Sequence, residues 1–275
     1  MRAIITGSNS GLGFQTAVAL AKDRCEIVLA VRSVSKGNDA AAIIRAINPA
    51  VQIEVAKLDL SSLQSIEQFV EGQNGASWDV LVNNAGAKIE RPFKQTKEGH
   101  EWHKGVNYLG HFALTARLWA SHCEGAAVVT VSSIVANRAN LEPANLAVES
   151  FHEGRAYADS KLLNLLFARN LSRLIDEAGI SASSIAAHPG FARAEPYGTK
   201  LTRVAEILLA QNARRGAESI IRATTQTNGT YLAPRFLQLW GQPKSITWPS
   251  RALDETLMKQ HWAEAETATG VPFRV

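Results

Sequence analysis

Cysteine is almost missing from this 275-residue sequence: Cys25 and Cys123 are the only two, and they lie in unrelated segments. They frame no metal-type pair, so neither a disulfide scaffold nor a zinc module is expected, and a reduced cytoplasm is the natural setting. Long apolar runs are missing too. No stretch approaches the ~20 uninterrupted apolar residues of a membrane helix. The chain opens directly on a short strand-like run, Ala3 to Ile5, so no cleaved signal and no membrane span are expected. A basic cluster is also lacking: the net charge of +4 is scattered, with Arg214-Arg215 the longest uninterrupted run, which argues against nucleic acid as a partner. His100-Glu-Trp-His103 looks like a metal motif, but its histidines stand three apart rather than at i,i+4, and it reads as surface.

What is present is apolar material for one sizeable core, 46% of residues, laid out as strands alternating with helices. That alternation predicts a parallel sheet covered by helices on both faces. The first unit is a strand, Arg2 to Ile5, a glycine-rich turn, Thr6-Gly7-Ser8-Asn9-Ser10-Gly11-Leu12-Gly13, and a helical pattern from Phe14 to Lys22. Glycines permit the tight turn and a close approach to a pyrophosphate, and a helix N-terminus supplies N–H groups and a positive dipole end. Gly7, Ser8, Asn9, Gly11, Leu12 and Gly13 are therefore candidate cofactor-binding positions. The second strand, Glu26 to Val31, ends in Arg32-Ser33. An acid there would bond the ribose 2′-hydroxyl of NAD; Arg32 suits a 2′-phosphate, which favours NADP(H). A third strand, Val51 to Ala56, leads to Asp59 and Leu60, read either as loop and helix-capping residues or as part of the ligand edge of the sheet.

The strand Val80 to Val82 runs into Asn83-Asn84-Ala85-Gly86, which is either a plain turn or a backbone-fixing element beside a cofactor, with Asn83, Ala85 and Gly86 as candidates. Asn107 interrupts an otherwise apolar helix and must find partners for its amide. The strand Ala127 to Val131 ends in Ser132-Ser133, a polar stretch from Asn137 to Glu153 reads as an insertion, and a long Leu-rich helix then carries Tyr157 and Lys161. Four residues apart on a helix, these two share a face. An ammonium there stabilises a phenolate, whose conjugate acid has an ordinary pKa of about 10. Alone, the pair fits equally a solvated lysine beside a half-buried ring. The strand Ala182 to Ala187 ends in His188-Pro189-Gly190, and the following segment, about 191–212, contains a short helical pattern with Leu201, Val204 and Leu208 on one apolar face. A helix near Ala213 to Thr225, a short strand at Thr230 to Ala233 and a helix from about Arg251 to Thr269 complete the chain, the last lying within a C-terminal extension of about 234–275.

Together these residues resemble the short-chain dehydrogenase/reductase family over essentially the whole chain. The matching motifs, in order, are Thr6-Gly7-x-x-x-Gly11-x-Gly13, Asn83-Asn84-Ala85-Gly86, Asn107, Ser133 and Tyr157-x-x-x-Lys161, followed by Pro189-Gly190. The resemblance implies a single Rossmann-type domain over 1–275 with about seven parallel strands, and NAD(P)-linked carbonyl or alcohol chemistry. It implies Tyr157 as acid/base, Ser133 as the hydroxyl that positions the substrate oxygen, Lys161 as partner of Tyr157 and of the nicotinamide ribose, and Asn107 as holder of a relay water. A homodimer or homotetramer acting on a small-molecule carbonyl or alcohol follows from the same resemblance. Asn107-Tyr-Leu-Gly-His-Phe, Ala156-Tyr-Ala-Asp-Ser-Lys161-Leu-Leu-Asn and the long spacing of 24 positions from Ser133 to Tyr157 are similar to the retinol dehydrogenase and protochlorophyllide reductase branch. Two departures stand out: Ala194 replaces the hydroxyl residue that often follows Pro-Gly by four positions, and the N-terminal membrane anchor of many retinol dehydrogenases is not seen. Phe191, Tyr197, Phe236, Trp240 and Trp248 suggest a bulky, mostly apolar substrate, or else packing of the C-terminal region. A light-driven tetrapyrrole reductase and a non-catalytic cofactor-binding scaffold are the alternatives.

Overall fold

The computed structural model describes residues 1–22, 25–87, 93–141, 151–190 and 212–275. The expectations attached to Phe191, Ala194, Tyr197, Leu201, Val204 and Leu208 fall outside the described residues, as does most of the 137–153 insertion. Its described start, through Leu141, is tied to the long helix that carries Tyr157 and Lys161 by Asp159, whose Oδ1 accepts the N–H groups of Asn140 and Leu141, each at 3.0 Å.

Among the described residues eight strands form one sheet in the order β3-β2-β1-β4-β5-β6-β7-β8. They are β1 (Arg2–Thr6), β2 (Glu26–Val31), β3 (Ile53–Lys57), β4 (Trp78–Asn83), β5 (His122–Val131), β6 (Ala182–Ala187), β7 (Tyr231–Phe236) and β8 (Trp240–Ser245). The first seven run parallel and β8 returns antiparallel against β7. The expected doubly wound α/β domain is thus present, with one strand more than anticipated. Part of the C-terminal extension is sheet.

The central strands are buried along almost their whole length, as strands covered on both faces must be. Against one face pack α1 (Gly11–Lys22), α2 (Val34–Ile47) and α6 (Ala213–Ala223), closing on Ile5, Leu29 and Val129; against the other pack α3 (Leu63–Gly72), α4 (Gly110–Leu118), α5 (Glu153–Ala178) and α7 (Glu255–Thr269), around Phe112, Leu162 and Leu166. Both apolar clusters draw alternate residues from the same strands, following the two-residue period of a strand. α7 lies over α4 and α5, where Phe112, Phe167, Trp262 and Phe273 meet at ring-centroid distances of 5.0–6.4 Å. Trp248 takes part in the C-terminal packing: it sits 5.1 Å from the Tyr231 ring and donates to the Gly229 carbonyl.

Strand order reverses between β1 and β4, one neighbour leading out to β3 and the other to β8. The crevice beyond the carboxyl ends of strands at such a point is where open α/β sheets bind ligands.

Candidate active site

At that crevice the turn after β1 and the turn after β4 are stitched together by Thr6. Its Oγ accepts the N–H of Asn84 at 2.9 Å and of Ala85 at 2.8 Å, while Asn84 Nδ2 donates to the Thr6 carbonyl at 2.7 Å. Gly7 and Gly11 take φ of +65° and +58°, a region L side chains rarely enter. A Cβ on Gly7 would stand 2.9 Å from Ala85, and one on Gly13 would stand 2.6 Å from the Gly7 oxygen, so the two turns and the start of α1 close to backbone contact only with glycine. Ser8 is buried and donates to the Ile5 carbonyl; Asn9 and Leu12 are half-buried on the rim. A bare, curved backbone opening onto the N-terminus of α1 fits a dinucleotide pyrophosphate. Arg32 is exposed at the end of β2, and the first acid after it is Asp39. Asp59 is half-buried just beyond β3 and its Oδ1 takes both the N–H and the hydroxyl of Ser61, which makes it a turn residue, while the cap of α3 is Ser62, whose side chain accepts the Ser65 N–H; Leu60 is buried behind it.

The second half of the site is built on α5. The Tyr157 phenol lies beside the Ser133 hydroxyl just beyond β5, and Lys161, 5% exposed, donates from Nζ to the Val131 carbonyl at 3.1 Å. Lys161 Nζ lies 5.8 Å from the Tyr157 ring centroid, and a Cβ on Gly86 would come within 3.5 Å of it. Ser133, Tyr157, Lys161 and Gly86 therefore converge. Asn107 lies in a π-helical turn, Lys104–Leu109, that leads into α4. Its amide clamps Ala87, accepting the N–H at 2.7 Å and donating to the carbonyl at 3.3 Å, and also donates to Ser160 Oγ, which itself donates to the Tyr157 carbonyl. Asn83 donates to Thr115 Oγ from inside the core. Pro189 and Gly190 follow β6; Gly190 has φ +71°, and a Cβ there would stand 2.5 Å from the Leu239 carbonyl of the β7–β8 hairpin.

Comparison with known proteins adds the decisive observation: the family model for short chain dehydrogenases matches residues 1–195. The chain belongs to the short-chain dehydrogenase family. Human retinol dehydrogenase 11 is 39% identical over 197 residues, covering 70% of this chain and 61% of that protein, so the chain spans about three fifths of that relative's length. Mouse polyprenol dehydrogenase is 32% identical over 283 residues, covering 98% of this chain and 83% of that protein. Among solved structures, an uncharacterised protein from Mycobacterium paratuberculosis superposes with a TM-score of 0.84 at 35% identity, covering 100% of this chain and 95% of that one.

In this short-chain dehydrogenase the electrostatics of the pair differ from the sequence expectation. Burial raises the Tyr157 pKa above its usual value, and the Ser133 hydroxyl opposes that only in part, so the phenol rests protonated rather than poised as phenolate. Burial also pulls Lys161 down, to about 8. The sequence missed two further groups. His111 is buried between the halves of the site, with Nδ1 3.0 Å from the Asn107 carbonyl and Nε2 3.0 Å from Thr6 Oγ, and burial lowers its pKa to about 4, so it is a neutral bridge. A carbonyl only accepts, which puts the proton on Nδ1. Glu101 and His103, read as surface, are instead buried beside Tyr157; a histidine inside a string of polar letters gives no warning of a buried carboxylate two residues away.

Proposed function

We propose that this short-chain dehydrogenase is an NADP(H)-dependent oxidoreductase that interconverts a carbonyl and an alcohol on a bulky apolar substrate, with Tyr157 as the proton donor in reduction. The observation that carries this is the convergence of Tyr157, Ser133 and Lys161 at the sheet's switch point, directly beyond the glycine turn. The nicotinamide, when bound, supplies the hydride. The chain's part is to hold and protonate. Ser133 Oγ stands beside the phenol and positions the substrate oxygen; Tyr157, kept protonated by burial, gives that oxygen its proton; Lys161 sits one turn below as the buried cation of the pair. Asn107 fixes the Ala87 backbone and, through Ser160, the main chain of Tyr157. Within this proposal Asn107 also holds a relay water, at an acceptor that it shares with Ala87 or His111.

NADP(H) is supported by Arg32, exposed at the end of β2 where a 2′-phosphate would meet a bidentate donor. The apolar substrate is supported by the relatives, whose names specify retinol and polyprenol, both long isoprenoid alcohols. We further propose a cytoplasmic setting, consistent with both cysteines being free of disulfides, and a homo-oligomer that assembles away from α4 and α5, because α7 covers them. Among the described residues no helix is long and apolar enough to cross a membrane.

The test is a series of aldehydes and ketones with NADPH, from glyceraldehyde to all-trans-retinal. Burying apolar ligand surface gains about 25 cal/mol per Å², so kcat/KM is expected to climb with apolar size. A preference for sugars, keto acids or other small polar carbonyls would refute the substrate assignment.

A further inference from the structure

Glu101 and His103 lie outside every motif that carries the proposed reaction, yet they are 5% and 1% exposed. Their side chains meet at 2.6 Å, His103 Nδ1 to Glu101 Oε1, and Glu101 Oε2 accepts the Lys104 N–H at 2.8 Å, at the start of the π-helical turn that carries Asn107. With Nδ1 tied to a carboxylate that is itself tied to the backbone, the imidazole has a fixed plane. A buried pair of this kind is a weak route to stability, since apolar residues of the same volume often serve as well or better. What it achieves is an oriented ring. The Tyr157 ring packs against it, with centroids 6.0 Å apart and planes at 74°, an edge-to-face arrangement. Phe151, at the entry to α5, stacks on the same imidazole at 6.4 Å and 19°, and Phe93 packs edge-on against Phe151 at 5.2 Å.

We propose that Glu101 and His103 form a positioning pair for Tyr157: the hydrogen-bonded imidazole is a wall that sets the angle of the phenol ring and so aims its hydroxyl at the substrate oxygen. The pair acts through Tyr157 and is not itself a proton donor. This inference rests on the assignment of Tyr157 as proton donor and adds to it by naming what holds the donor in line. Proton transfer is sensitive to such aim, because a 1 Å misplacement of a reacting group costs on the order of 10²-fold in rate.

The experiment measures kcat with NADPH and all-trans-retinal, and NADPH affinity by fluorescence, for His103→Ala and His103→Phe in the wild-type and the Tyr157→Phe backgrounds. His103→Ala is expected to lower kcat by about 10- to 100-fold while NADPH affinity stays within about 2-fold. His103→Phe restores a flat ring but not its hydrogen bond to Glu101, so it should recover only part of the rate. In the Tyr157→Phe background the alanine change should alter the residual rate by less than about 2-fold, because the group it aims is gone. The double variant Glu101→Gln/His103→Leu fills the volume without a buried charge, and is expected to behave like the alanine variant should that one fail to fold. A kcat within about 2-fold of wild type in either overturns the proposal, as does a parallel loss of NADPH affinity or an equal loss in both backgrounds, each the mark of a general structural role. A Tyr157→Phe protein that works at the wild-type rate overturns the proton-donor assignment itself, so the two failures read differently.

Discussion

Replacing Lys161 by Met should make the cofactor-free protein more stable while removing its activity. Lys161 is 5% exposed, and burial pulls its pKa from 10.5 to about 8. Below pH 8 the lysine is charged in both the folded and the unfolded chain, and the folded state bears the whole cost of burying the charge. The gap of roughly 2.5 pH units, at about 1.36 kcal/mol each, sets that cost near 3 kcal/mol as an order of magnitude. Methionine keeps an unbranched stem in the same slot and carries no charge. The Val131 carbonyl is not orphaned by the change, because Asn164 Nδ2 also donates to it, at 3.0 Å. A gain of about 1–3 kcal/mol at pH 7 is therefore expected. From pH 8 to 10.5 the folded lysine loses its proton while the unfolded one keeps it, so wild-type stability rises with pH and the advantage of Lys161→Met shrinks towards zero. Urea unfolding of both proteins at pH 7 and pH 10 measures this directly. A methionine variant less stable than wild type at pH 7, or one whose advantage is the same at both pH values, would refute the charge-burial argument.

Gly13→Ala places a Cβ 2.6 Å from the Gly7 oxygen and 2.4 Å from Asn84 Nδ2, so the cradle must open; an overpacking cost of about 1–3 kcal/mol predicts NADPH binding weaker by about 10-fold or more in a fluorescence titration, with the circular dichroism spectrum unchanged. Arg32→Asp should weaken NADPH binding by about 10-fold or more and leave NADH within about 3-fold, since only NADPH carries the 2′-phosphate. Equal affinity of the wild type for both cofactors would contradict the role given to Arg32.

Much of the site was legible because its signals are local. The glycine spacing from Gly7 to Gly13, the Tyr157–Lys161 step along one helix, and Ser133 at a strand end each depend on residues a few positions apart, and strand and helix periods placed them on one edge of one sheet. Strand β8 was not legible: Trp240-Gly-Gln-Pro-Lys-Ser has no alternation, and its proline is tolerated only because β8 is an edge. Its hairpin turn is also disguised, using Leu237 and Gln238 at φ 49° and 58° where turn chemistry leads one to look for Asn-Gly. The π-helical turn at Asn107 lies where the chain packs on a distant segment, with Gly110 so close to the Leu60 carbonyl that a Cβ would stand 2.5 Å from it. The raised pKa of Tyr157 was likewise hidden, because spacing reveals the nearby ammonium and says nothing about how deeply the phenol is buried. Glu101 and His103 pair only after the chain turns into the helix, which no periodic pattern records.

The most direct measurement is the rate of NADPH-linked reduction of all-trans-retinal by Tyr157→Phe beside wild type at pH 7, with NADPH affinity measured on the same samples. Loss of the phenol proton with the ring retained should lower kcat by about 10²–10⁴-fold or more, the usual scale of positioned acid catalysis, while NADPH affinity changes by less than about 3-fold. Reduction by Tyr157→Phe at near the wild-type rate would contradict the assignment of Tyr157 as proton donor.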